Sequence, residues 1–177
     1  MLKLQFTLLL LSSFPMWAQH AEFYALAGYS RASNVPGWDI NDRFSGGTYG
    51  AGAGVHLVSV AGAAAEFTQE RVGGFADGSS YVYTGFSLNL ALEKRTGAIR
   101  PYALAGLGGG SFGLTDPVVH YTALGGQFAG GVAFRVSGPF FLRPQVRYVH
   151  RTQFDIFGGS RSLPSPISFC VAFGLHI

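Results

Sequence analysis

The chain has 177 residues, of which 48% are hydrophobic and only 12% charged, and 12 Lys+Arg against 9 Asp+Glu leave a net charge of +3. That charged share is about half the ordinary soluble value, and a disordered chain would be poor in apolar residues rather than rich in them. No internal run reaches the roughly 18 apolar residues of a membrane helix. Lys and Arg never run beyond the pair Lys94-Arg95, which excludes a nucleic-acid-binding stripe.

What remains is an apolar chain with 26 Gly, 16 Phe and 8 Tyr, a composition that suits a transmembrane β-barrel. The single cysteine, Cys170, has no internal partner for a disulfide or a paired-thiol metal site.

Residues 1–18 read as an export signal. Lys3 supplies the positive start, Leu4 to Leu11 the apolar stretch, Pro15 the break and Ala18 a small residue before the cut. One barrel domain over 19–177 is expected to follow.

From there the apolar residues recur with period two, the mark of strands with one buried and one solvated or lipid-facing side. Eight segments carry it: 22–31, 48–57, 61–70, 81–92, 99–108, 123–135, 140–151 and 166–177. Each is close to the roughly 9–11 residues that a tilted strand needs to cross a bilayer. In the last segment Ile167, Phe169, Val171, Phe173, Leu175 and Ile177 alternate with Ser168, Cys170, Ala172, Gly174 and His176. The apolar phase of the other seven carries one charge, Arg31, at the outer end of the first segment. The opposite phase holds Glu22, Glu66, Glu70, Arg100, Arg135, Arg143, Arg147 and Arg151, with His56, Asn89, Gln127 and Gln145.

This asymmetry separates two eight-stranded barrels. A soluble lipocalin-like barrel is apolar inside and polar outside. A membrane barrel inverts that, because Arg or Lys facing lipid at mid-depth costs about 2–4 kcal/mol. The connections alternate as well, short at 58–60, 93–98 and 136–139 and longer at 32–47, 71–80, 109–122 and 152–165. Short periplasmic turns and longer outer loops follow from that layout. Pro101 and Pro144 fall inside predicted strands, near their starts, where each removes a ladder donor.

The chain resembles the small eight-stranded outer-membrane β-barrels and is similar to the transmembrane domain of outer membrane protein A. The resemblance rests on Phe23-Tyr24-Ala25-Leu26-Ala27-Gly28-Tyr29-Ser30, on Arg100-Pro101-Tyr102-Ala103 and Arg143-Pro144-Gln145-Val146 at strand starts, and on the alternating last strand. It implies residence in the cell outer membrane, a surround of outer-membrane lipid and insertion by the barrel-assembly machinery. Ile177 stands where the family usually closes on Phe or Trp. No peptidoglycan-binding domain is expected after the last strand.

Among candidate site residues, Glu66 and Arg143 are expected to pair across the interior, with Arg147 in the same structural polar cluster. A buried charge is tolerable only when paired. Gly108, Gly110 and Gly113 satisfy a dinucleotide-binding spacing, but Pro117 and the absence of helical period after them remove the context it needs. His20, His56, His120 and His176 show no metal-ligand spacing.

The expected function is therefore structural or surface-interacting, without enzymatic activity, cofactor or large pore. The alternative is a lipid-modifying hydrolase similar to the lipid A deacylases. In it His150 would activate Thr152, with Asp155 the nearest acid.

Overall fold

A computed structural model describes residues 20–32, 44–73, 80–94, 97–115, 118–154 and 160–177. The predicted signal at 1–18, parts of the longer predicted connections, and Asp155 lie outside the described residues.

Nine strand segments follow in chain order: β1 His20–Ala32, β2 Phe44–His56, β3 Ala61–Gly73, β4 Ser80–Glu93, β5 Ile99–Thr115, β6 Val118–Ser137, β7 Phe140–Phe154, β8 Ser160–Ser162 and β9 Ile167–His176. Every pairing is antiparallel. The order runs β6-β5-β4-β3-β2-β1-β9-β7, and β6 pairs β7 to close the ring. The ring has eight staves, because β8 and β9 share one. β8 pairs the far end of β7 at Thr152–Phe154, and β9 pairs Phe140–Tyr148. Between them Pro164 and Pro166 interrupt the ladder, which is kept by Leu163 N–H to Arg151 O (3.0 Å) and Val149 N–H to Pro166 O (3.2 Å). Closure leaves little free edge among the described residues; β6 runs on past its pairing with β7 over Val118–Thr122.

Two strands run further than their patterns indicate. β5 and β6 stay in register from Ile99↔Phe134 to Thr115↔Val118, so most of the connection predicted at 109–122 is strand, its β5 arm also paired with β4 as far as Tyr81↔Leu114. Its glycines allow backbones to approach rather than turn. A Cβ on Gly108 would stand 2.8 Å from the Ser87 Cβ on the next strand. True turn glycines occur at Gly97 and Gly138, whose φ of 97° and 54° disfavour a side chain.

The two in-strand prolines sit where a donor is dispensable. The Pro101 carbonyl accepts the Lys94 N–H at 3.0 Å, so its donor-less nitrogen also faces that side, one residue past the last β4–β5 pair. Pro144 lies where β6–β7 pairing lapses between Gly131↔Gln145 and Phe134↔Leu142.

The two faces follow the alternation. Leu107 and Leu90, 75% and 71% exposed, lie on an apolar exterior with Phe128, Phe169 and Phe173. Glu66, 1% exposed, lies within, as do Arg143, Arg147 and Arg151.

Candidate functional site

Inward positions of a narrow barrel must be filled by side chains, and here ion pairs fill them in three tiers. The lowest tier lies at the end with short turns. Arg143 on β7 grips Glu22 on β1 through two bonds, Nη1 to Oε1 at 3.1 Å and Nη2 to Oε2 at 2.7 Å. Its guanidinium lies 4.7 Å from the Tyr102 ring centre and 4.6 Å from that of Phe141. Arg100 on β5 pairs with Glu93 on β4 at 3.0 Å and meets His176 Nε2 on β9 at 3.1 Å. His56 on β2 reaches Glu22 at 3.5 Å and Glu93 at 4.0 Å.

The middle tier is built on Glu66 of β3. Its Oε1 accepts from Tyr24 Oη and from Arg147 Nη2, both at 2.8 Å, and its Oε2 accepts from Gln127 Nε2 at 3.0 Å. Gln127 also donates to Ser87 Oγ at 2.9 Å and Asn89 Oδ1 at 2.6 Å. Tyr102 Oη donates to Gln145 Oε1 in the same layer. Six strands are thus tied together across the lumen.

In the top tier Arg151 pairs with Glu70 at 2.5 Å and lies 3.8 Å over the Tyr83 ring. Beyond it an apolar cluster of Ala32, Val72, Tyr81, Phe112, Ala123 and Leu163 covers the tier toward the end with the longer connections. A charged interior sealed in this way is stabilised only while its pairs stay intact.

The sequence expectation for this region needs one correction. Glu66 is bonded to Arg147, not to Arg143, which turns to Glu22 instead. Barrel strands tilt by about 35–45°, so residues equally far from their strand ends do not face each other across the lumen. Glu93, expected in a connection, is the last residue of β4 and is buried.

Glu22, His56 and Glu93 bring their ligand atoms within 4.8 Å of one another, a donor set that a divalent ion accepts. Arg100 and Arg143 already neutralise both carboxylates. A dication would give this buried tier a net positive charge, so the geometry favours an ion-paired plug. Gly108, Gly110 and Gly113 lie within β5, with strand rather than helix around them.

His150 and Thr152 are not joined. Thr152 Oγ1 donates to Leu124 O at 3.3 Å, while His150 Nδ1 lies 3.3 Å from Ser165 Oγ. Sequence pattern gave no sign of Ser165, which the break between Pro164 and Pro166 brings opposite β7.

A closed antiparallel ring with an apolar outside and an ion-paired inside defines a transmembrane β-barrel. The family described as outer membrane protein beta-barrel domain matches residues 6–162, and the chain belongs to it. It is an outer-membrane protein embedded in lipid. No curated protein matches the chain. Among solved structures it is similar to Neisserial surface protein A, with 13% identity, 88% of this chain and 96% of that one covered, and a TM-score of 0.64. It is similar to the N-terminal β-barrel domain of OprF from Pseudomonas aeruginosa, with 16% identity, coverage of 89% and 98%, and a TM-score of 0.55. Ail, the attachment invasion locus protein of Yersinia pestis, solved with the heparin analogue sucrose octasulfate, gives 14% identity, coverage of 89% and 99%, and a TM-score of 0.53. At these identities the likeness is one of fold.

Proposed function

We propose that this barrel is a non-enzymatic structural and surface-interaction protein of the outer membrane, without a large pore. The observation that carries the reading is the filled lumen: Glu66, Tyr24, Arg147 and Gln127 meet in its middle, and paired charges lie above and below. With the interior occupied, the outer connections β1–β2, β3–β4, β5–β6 and β7–β8 are the surface left for a partner. The chain would be exported by its first 18 residues and inserted by the barrel-assembly machinery.

Ail's complex with a sulfated sugar makes a sulfated glycan the first ligand class to test. Replacing 33–43, 74–79 and 155–159 by two-residue turns is expected to leave the barrel folded and to abolish retention of expressing cells on immobilised heparin. Unchanged retention, or no retention of the parent, would overturn the surface role for this ligand class.

A second reading, a lipid-acting hydrolase, is favoured by one contact. His150 and Ser165 face each other at 3.3 Å near the outer end of β7, with Ser165 rather than Thr152 as the hydroxyl. Release of acyl chains from outer-membrane glycolipid that is lost in Ser165→Ala and kept in Thr152→Val would establish it; no release would remove it.

A further inference from the structure

The periplasmic end of the lumen opens into a hollow of about 270 Å³ bounded by His20, Arg100, Arg135, Gly138, Pro139 and His176. Two arginines and two histidines from four strands line it, and no carboxylate is among the lining residues. Arg100 is held from behind by Glu93 and His176. Arg135 differs from the other inward arginines: it is exposed, and no carboxylate pairs with it among the described residues.

Its orientation is nonetheless fixed. Arg135 Nε donates to Gly138 O at 2.9 Å. That carbonyl belongs to the positive-φ turn residue, in the tight link from β6 to β7. Using Nε in this way leaves both terminal nitrogens of the guanidinium available to an acceptor. A planar fork with two free donors suits an oxyanion, and guanidinium groups bind phosphate by such paired bonds. Donors arriving from several strands suit a tetrahedral anion with several oxygens better than a flat carboxylate. The hollow is large enough for a phosphate with an ester substituent.

We propose that this periplasmic mouth is a phosphate-binding site in which Arg135 makes the principal contact, with Arg100 and His20 beside it. The phosphate could come from the headgroup of an inner-leaflet phospholipid or from a soluble periplasmic compound.

The test is ³¹P NMR on the full barrel, folded in a maltoside detergent without phosphate. Inorganic phosphate is titrated first and dihexanoyl phosphatidylglycerol second. Saturable line broadening is expected, weakened about tenfold in Arg135→Gln, which loses one charge-assisted contact. Arg71→Gln, at the opposite end of the barrel, is expected to bind as the parent does. Tighter binding of the lipid would assign the site to a headgroup, and equal or weaker binding would assign it to a soluble phosphate. Either result supports the site. Absence of saturable broadening with both probes, or equal affinity in Arg135→Gln, would overturn it. Should that variant fail to fold, Arg135→Lys takes its place: it keeps the charge but loses the paired donors, so weaker binding is expected and unchanged affinity would overturn the site.

Discussion

Replacing Glu66 by alanine removes the acceptor of three hydrogen bonds at once, from Tyr24, Arg147 and Gln127. The largest consequence falls on Arg147, whose side chain is 2% exposed and whose ion pair is with Glu66. An uncompensated guanidinium is left inside the barrel. Breaking a buried pair in this way costs about 3–5 kcal/mol. With a urea slope of about 2 kcal/mol/M, the unfolding midpoint falls by about 2 M. Glu66→Gln keeps an acceptor but loses the charge, and should fall by about half as much, because charge-assisted bonds are about twice as strong as neutral ones. Joint replacement by Glu66→Leu and Arg147→Met removes both charges and should recover most of the loss. Arg31→Ala, at an exposed position, is the reference and should stay within about 0.5 kcal/mol of the parent. The assay is far-UV circular dichroism against urea in one fixed detergent. A Glu66→Ala midpoint equal to that of Arg31→Ala would refute the argument that paired charges hold this lumen together.

Two further outcomes follow from side-chain placement. In a Cys170→Ser background, Val171→Cys should react with a lipid-phase thiol probe and Ala172→Cys should not, since Val171 is 46% exposed on the apolar face and Ala172 is 1% exposed on the inner one. Reversed labelling would mean that β9 is in the wrong phase. Gly52→Ala would place a Cβ 2.5 Å from the Tyr24 ring carbon Cζ. The displaced Tyr24 would loosen its bond to Glu66, and this overpacking should cost about 1–3 kcal/mol in the same urea assay.

Sequence periodicity reveals the walls of this barrel more readily than its contents. The odd residues of Ile167–His176 read as lipid-facing because a period-two pattern maps directly onto the two faces of a strand. The inward identity of Glu66, Arg143 and Arg147 is legible for the same reason. Their partners are not, because pairing across the lumen depends on tilt and stagger, which no single strand encodes. Glu22 and Glu70 were therefore visible as interior residues but not as the acids of Arg143 and Arg151. Glycine misleads in another way. Gly109 and Gly110 fall in a predicted connection, yet in β5 they let neighbouring backbones and side chains come close. Ser165 is hidden by its flanking prolines, which break the alternation that would have assigned it to a face.

The central claim is that an eight-stave barrel filled by Glu66–Arg147, Glu22–Arg143 and Glu70–Arg151 has no open path through it. Single-channel recording in planar bilayers tests this most directly, with the purified barrel at a monomeric dose. The account predicts no sustained conductance, with at most brief flickers as water enters small gaps beside inward glycines. A stable, porin-sized current from the monomer would contradict it, and would mean that the three tiers do not close the lumen.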